Sequence, residues 1–148
     1  MKILIADDHD LLKDTLVLFV QAEGSIETVT ASDLDEALAI VDAQGPFDLI
    51  MLDYNMPGMS GLTGLKCALT HNGDQKVALM SGIATRSIAE EALAFGAAGF
   101  IPKTISAKSL INAIKFMAMG EKYAPIDFMT AEDAKKFGLI DSVVEKRK

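Results

Sequence analysis

The stretch KILIADDHD, residues 2–10, sets the frame for the whole chain. An apolar run, Ile3-Leu4-Ile5-Ala6, stops abruptly on Asp7-Asp8-His9-Asp10. Adjacent carboxylates repel each other, and a chain that needed only a turn has Asn, Ser or Gly available for it. Two explanations fit. Either the acids cap a helix, or a positively charged group sits between them.

Working outward, the same alternation recurs. KILIA (2–6) precedes Leu11, Leu12, Thr15, Leu16, Phe19 and Val20, which are spaced for one face of a helix. IETVTA (26–31) alternates as a half-exposed edge strand does. Ser32 and Asp35 then form a capping box, with Ser32 as N-cap, and the helix they open carries Leu34, Ala37, Leu38 and Val41 until Gly45-Pro46 ends it. DLIML (48–52) is short and, after Asp48, apolar throughout, as suits a strand covered on both faces. A loop, NMPGMSG (55–61), leads to a helix through Leu62, Leu65, Lys66 and Leu69. KVALM (76–80) is the fourth strand. After Thr85 a stripe of Ile88, Ala89, Ala92, Leu93 and Phe95 runs to Gly96, AGFI (98–101) is the fifth strand, and Ser106 caps a helix burying Leu110, Ile114 and Met117.

Strands that alternate with helices imply a parallel sheet with right-handed crossovers, because parallel neighbours need long connections. The expected fold is α/β: a flavodoxin-like, doubly wound, five-stranded parallel sheet of order 2-1-3-4-5 with helices on both faces, plus a short C-terminal helix–strand extension. In such sheets ligands bind at the carboxyl ends of the strands, where the strand order reverses.

Bulk properties narrow the function. At 148 residues, 50% hydrophobic and 24% charged, the chain has an ordinary globular profile, large enough for one domain with its own core. A net charge of −7 argues against non-specific nucleic-acid binding. No apolar run has the length of a membrane span, no leader resembles a signal peptide, and a lone cysteine, Cys67, forms no internal disulfide. These features point to a cytoplasmic protein without a membrane partner.

The strand ends carry the chemistry. Asp7 and Asp8 follow the first strand, Asp53 the third, Ser81 the fourth and Lys103 the fifth. With the first and third strands as neighbours, three carboxylates share one pocket, which is unstable unless some protonate or a cation joins them. A hard divalent cation, most plausibly Mg2+, takes oxygen ligands and keeps waters. Asp8 and Asp53 are its candidate direct ligands, Asp7 acts mainly through water, and the backbone carbonyl of Asn55 adds another oxygen. Lys103 and Ser81 offer an ammonium and a hydroxyl to the same point, the groups a phosphoryl needs. Asp53 is then placed to act as nucleophile and form an acyl phosphate. Gly82, lacking a side chain, leaves the approach open.

Residues 2 to about 122 resemble the receiver domains of two-component response regulators. The matching pieces are ILIADDHDLL at the start, LDYNMPGMSGL around Asp53, MSG at 80–82 and GAAGFIPKTISAKSLINAI at 96–114. GFIPKT and the general cadence are closest to receivers of the LuxR/NarL/FixJ-type family. The resemblance implies that Asp53 accepts a phosphoryl group from a phosphohistidine on a sensor histidine kinase or histidine phosphotransfer protein. It also implies that Asp7, Asp8 and the Asn55 carbonyl hold Mg2+, that Lys103 contacts the phosphate, and that Ser81 swings toward it while Phe100 reports the switch. The implied role is a phosphorelay switch with a protein target and homodimerisation through the face of the fourth helix, fifth strand and fifth helix. It implies no enzyme beyond self-phosphorylation and self-dephosphorylation.

The division expected is a receiver over 1–122 and an extension over 123–148. The remainder is too short for a DNA-binding domain and its last part, 126–148, sums to no net charge, so a single-domain regulator without direct DNA binding is expected. Within it Thr130 and Asp133 form a capping box, Ala131, Ala134 and Phe137 share a helical face, Gly138 ends that helix, and Leu139-Ile140 and Val143-Val144 read as a short strand. MTAEDAKKFGLIDSVVEKR also resembles the C-terminal helix–strand of the Clp protease proteolytic subunit and its crotonase-like relatives, without any catalytic residue. Two rival functions stay open: a Mg2+-dependent phosphohydrolase using an aspartyl phosphate, and a receiver-fold interaction module that is never phosphorylated. Blander roles are expected for several residues. Asp8 alone suits an N-cap, His9 a surface position at a helix start, and Cys67 a small hydrophobe on the third helix. Met56, Met59, Met117, Met119 and Met129 suit a core rather than a recognition surface.

Overall fold

The apolar runs form strands that lie parallel in one sheet. A computed structural model describes residues 1–82 and 86–124. The side chain of Leu12, Thr85 and the helix–strand expected over 129–147 lie outside that description. The elements alternate as β1 (Lys2–Ala6), α1 (Asp10–Ala22), β2 (Glu27–Ala31), α2 (Leu34–Gln44), β3 (Leu49–Asp53), α3 (Thr63–Leu69), β4 (Val77–Ser81), α4 (Arg86–Ala94), β5 (Gly99–Pro102) and α5 (Ala107–Ala118). The sheet order is β2-β1-β3-β4-β5, as the sequence predicts.

Side-chain alternation along the strands builds two cores. Leu4, Ile50, Leu52, Leu79 and Phe100 pack under α2, α3 and α4 with Leu34, Ala37, Leu65 and Ala89. Ile3, Ile5, Met51, Met80 and Ile101 face the other way, against Val20 of α1 and Leu110, Ile114 and Met117 of α5. β3 and β4 are buried along their whole length because helices cover both faces. β2, at the sheet edge, is only half-buried in its middle.

Several local expectations shift. α2 is capped by Asp33, not Ser32: the Asp33 carboxylate accepts the Glu36 amide at 2.8 Å, and Glu36 in turn accepts the Ser32 amide at 2.6 Å. The cap therefore lies one residue later, and the longer Glu36 side chain reaches past Asp33 to the Ser32 amide. In α1 the inward face is Lys13, Leu16 and Val20, while Leu11 and Phe19 point out, 82% and 47% exposed. Lys13 is buried because its Nζ donates to Ser32 Oγ at 2.9 Å. Cys67 is exposed rather than packed, since the α3 stripe that faces the sheet is Gly64, Leu65 and Ala68. Phe95 lies beyond α4, with Lys66 Nζ 4.2 Å above its ring, instead of in the core. Met56, Met59 and Met117 fill the interior, Met119 is exposed, and Met129 lies outside the described residues.

After α5 the chain returns to the sheet. Tyr123 forms a parallel bridge with Gly99: its amide donates to Ala98 O and its carbonyl accepts from Phe100, both at 2.9 Å. Lys122 Nζ donates to the carbonyls of Gly96 and Ala97. A Cβ on Gly99 would stand 2.5 Å from Met117 Sδ and 2.7 Å from Tyr123 O, so only glycine admits this approach. Gly99→Val is expected to cost about 1–3 kcal/mol by overpacking. Urea denaturation measures that cost, and hydrogen exchange at the Phe100 and Tyr123 amides is expected to lose protection first.

Candidate functional site

Strand register assembles the site. β1 and β3 pair with Ala6 opposite Leu52, so the next residues, Asp7 and Asp53, stand side by side at the carboxyl end of the sheet. β4 and β5 pair with Ser81 opposite Pro102, and the Lys103 amide donates to Ser81 O at 2.9 Å. Ser81 and Asp53 are the last residues of their strands rather than the first of their loops. The loop after β3 turns back tightly. Gly58 has φ +93°, and a Cβ there would meet Leu34 Cβ at 2.9 Å.

Lys103 joins the two buried acids. Its Nζ lies 3.0 Å from Asp7 Oδ2 and 3.0 Å from Asp53 Oδ2. Asp7 Oδ1 accepts the His9 amide at 2.8 Å, and Asp53 Oδ1 accepts the Asn55 amide at 3.2 Å. Burial pushes the Asp7 carboxyl up, but the His9 amide, Lys103 and the His9 ring together outweigh it and hold it below the ordinary carboxylate value. Asp53 goes the other way: burial, reinforced by the charge on Asp7, outweighs Lys103 and Asn55 and pushes it up. Burial also opposes the Lys103 charge, yet the two carboxylates prevail and raise its pKa.

Asp8 is more open than its neighbours, its side chain 37% exposed. It does not cap α1. The N-cap is His9, and that side chain makes no capping bond. His9 instead leans over the acids. Its Nδ1 is 2.9 Å from Asp7 Oδ1, 3.2 Å from Asp8 Oδ1 and 3.7 Å from Asp53 Oδ2, with Lys103 Nζ at 3.4 Å. Sequence reasoning placed His9 at the surface, and 63% of its side chain is exposed. It missed that the exposed ring reaches inward, although adjacency to Asp7-Asp8 was the available signal.

Asp7, Asp8, His9 and Asp53 each offer a ligand atom, all within 4.8 Å of one another. Asp7 Oδ2 and Asp53 Oδ2 are buried without a directed hydrogen bond. Lys103 gives each of them charge but leaves lone pairs unspent, and hard oxygen donors of this kind fit a divalent cation. The acids open onto a cleft of about 450 Å3 lined by His9, Leu11, Asp53, Asn55, Gly82 and Lys103. Gly82 lines the cleft, and a Cβ there would meet no described atom within 4 Å. Phe100 is fully buried in the core under α4 and lies three residues before Lys103 on β5.

Residues 3–115 match the family model of the response regulator receiver domain. The chain belongs to that family. The receiver is 35% identical over 133 residues to the glycerol metabolism activator of Pseudomonas putida, covering 88% of this chain and 60% of that protein. It is 31% identical to the transcriptional regulatory protein DegU of Brevibacillus brevis, covering 83% of this chain and 52% of that one. It thus spans between half and two-thirds of the curated relatives it matches. Among solved structures, the signal receiver domain of the putative response regulator NarL from Mycobacterium tuberculosis superimposes with a TM-score of 0.74 at 31% identity, covering 81% of this receiver and 97% of that domain. No helix among the described residues is long and apolar enough to cross a membrane.

Proposed function

We propose that this receiver is a phosphoacceptor switch in which Asp53 takes a phosphoryl group from a phosphohistidine on a sensor histidine kinase or histidine phosphotransfer protein. The observation that carries the reading is Lys103 Nζ at 3.0 Å from both buried acids, at the floor of an open cleft. An oxygen of Asp53 attacks phosphorus, the new P–O bond forms as the P–N bond breaks, and the departing imidazole nitrogen keeps the electron pair and is protonated by solvent. Lys103 follows the charge onto the phosphoryl oxygens, and the Ser81 hydroxyl donates to one of them.

Asp7, Asp8, Asp53 and the Asn55 carbonyl would hold Mg2+. When bound, the ion neutralises charge on the carboxylates and the phosphoryl oxygens. The acyl phosphate then biases a two-state equilibrium. Ser81 sits on β4 and Phe100 on the paired strand β5, so a movement of one reaches the other through a single ladder. The face of α4, β5 and α5 is the proposed readout, through a protein target or a second copy. The helix–strand expected within the tail over 123–148 is proposed to dock on a partner or a second copy.

The test is intact mass after incubation with acetyl phosphate and Mg2+. One added phosphoryl group is expected, and none once the metal is chelated. An unchanged mass, under conditions that label another receiver, overturns the reading in favour of an interaction module.

A further inference from the structure

His9 places a nitrogen donor among the carboxylate oxygens at the strand ends. Its Nδ1 stands within 3.7 Å of three carboxylates that come from the ends of two strands. Two of those carboxylates, Asp7 and Asp53, each turn a buried oxygen, without a directed hydrogen bond, toward Lys103 Nζ at 3.0 Å, and that ammonium stands 3.4 Å from His9 Nδ1. The ring is held there from behind, because the His9 backbone amide also donates to Asp7 Oδ1 and so fixes the residue against the acid. The remaining ring nitrogen, Nε2, belongs to a side chain that is 63% exposed, so it has access to solvent.

We infer that His9 Nδ1 is a ligand of the cation at this site, and that it shifts the site's preference from Mg2+ toward borderline first-row metals of the Co2+ and Ni2+ class. This inference rests on the reading of the cleft as a cation site. Carboxylates and carbonyls suit Mg2+ or Mn2+, whereas an imidazole adds little to Mg2+ and much to Co2+, Ni2+ or Zn2+. In the tautomer that carries its hydrogen on Nδ1, the ring donates to Asp7 Oδ1. Ligation replaces that hydrogen: the ring changes tautomer, its proton now on the exposed Nε2, and Nδ1 gives its lone pair to the metal. No net proton leaves a neutral ring in this exchange. The exposed Nε2–H is then satisfied by water, the outer partner that a ligating histidine requires.

The other histidine, His71, pairs with one carboxylate, Asp42 Oδ1 at 3.1 Å, and so serves as an internal control.

The experiment is calorimetric titration of the full chain with Mg2+ and, separately, with Co2+, followed by the absorption bands of bound Co2+. It compares the native chain with His9→Asn and His71→Asn. Asn is a good N-cap residue, so His9→Asn keeps the start of α1. Expected for His9→Asn are a fall in Co2+ affinity of roughly tenfold or more, a Mg2+ affinity within about twofold of native, and a changed Co2+ spectrum. His71→Asn should alter none of these. Equal losses for both metals, or no loss for either, overturn the role of His9 while leaving the cation site intact. Binding of neither metal to the native chain overturns both the cation site and this inference.

Discussion

Asp53→Asn is expected to abolish labelling by acetyl phosphate and Mg2+ while raising the melting temperature. The two effects have one cause. Asp53 is buried beside Asp7, and the single Lys103 ammonium is shared between them. Two buried carboxylates against one ammonium leave an uncompensated negative charge, which is why burial and Asp7 together push the Asp53 carboxyl up. Asn has nearly the same shape and no charge. It keeps an oxygen for the Asn55 amide and leaves Asp7 in an exclusive pair with Lys103. The expected gain is about 1 kcal/mol, or roughly 3–5 °C, measured by calorimetric melting in the presence of a chelator. Added Mg2+ should reverse the ranking, since a ligand that binds only the folded state stabilises the native chain by RT ln(1 + [L]/Kd). A variant that still gains a phosphoryl group would move the acceptor elsewhere. A variant that melts lower than the native chain would show that the two acids are not in conflict.

Much of this is legible in the sequence itself, and for identifiable reasons. The strands announced themselves because β3 and β4 are covered on both faces, which leaves LIML and VALM no room for polar residues. The site followed from topology. Once β1 and β3 are neighbours, Asp7 and Asp53 have no other place to be. What was not legible depends on side-chain direction. Spacing marks Leu11 as an inward apolar residue and His9 as a surface one. In the fold Leu11 lines the cleft from outside while the His9 ring bends over the acids. Lys13 was invisible for the converse reason, because its buried stem depends on a hydroxyl at Ser32, well along the chain. The return of Tyr123 to β5 left a trace only in Gly99, whose missing Cβ has no meaning until its neighbours are known.

Lys103→Met carries the largest expected loss of stability at the site, opposite in sign to Asp53→Asn. Methionine matches the length of the stem but removes the only ammonium beside Asp7 Oδ2 and Asp53 Oδ2 among the described residues. Breaking a buried pair leaves its carboxylates unpaired, at a cost of about 2–4 kcal/mol, somewhat reduced here because the cleft admits water. Labelling by acetyl phosphate should fall by on the order of a hundredfold, the usual effect of removing one charge-stabilising donor. The double variant Asp53→Asn/Lys103→Met decides whether the charges act as a unit. With one carboxylate gone, the loss of the ammonium costs less, so the double variant should melt above Lys103→Met alone. Chemical denaturation of the four proteins yields a coupling energy of about 1–2 kcal/mol. Additive effects would mean that Lys103 serves Asp7 alone, and its part in phosphoryl transfer would then have to be argued without Asp53.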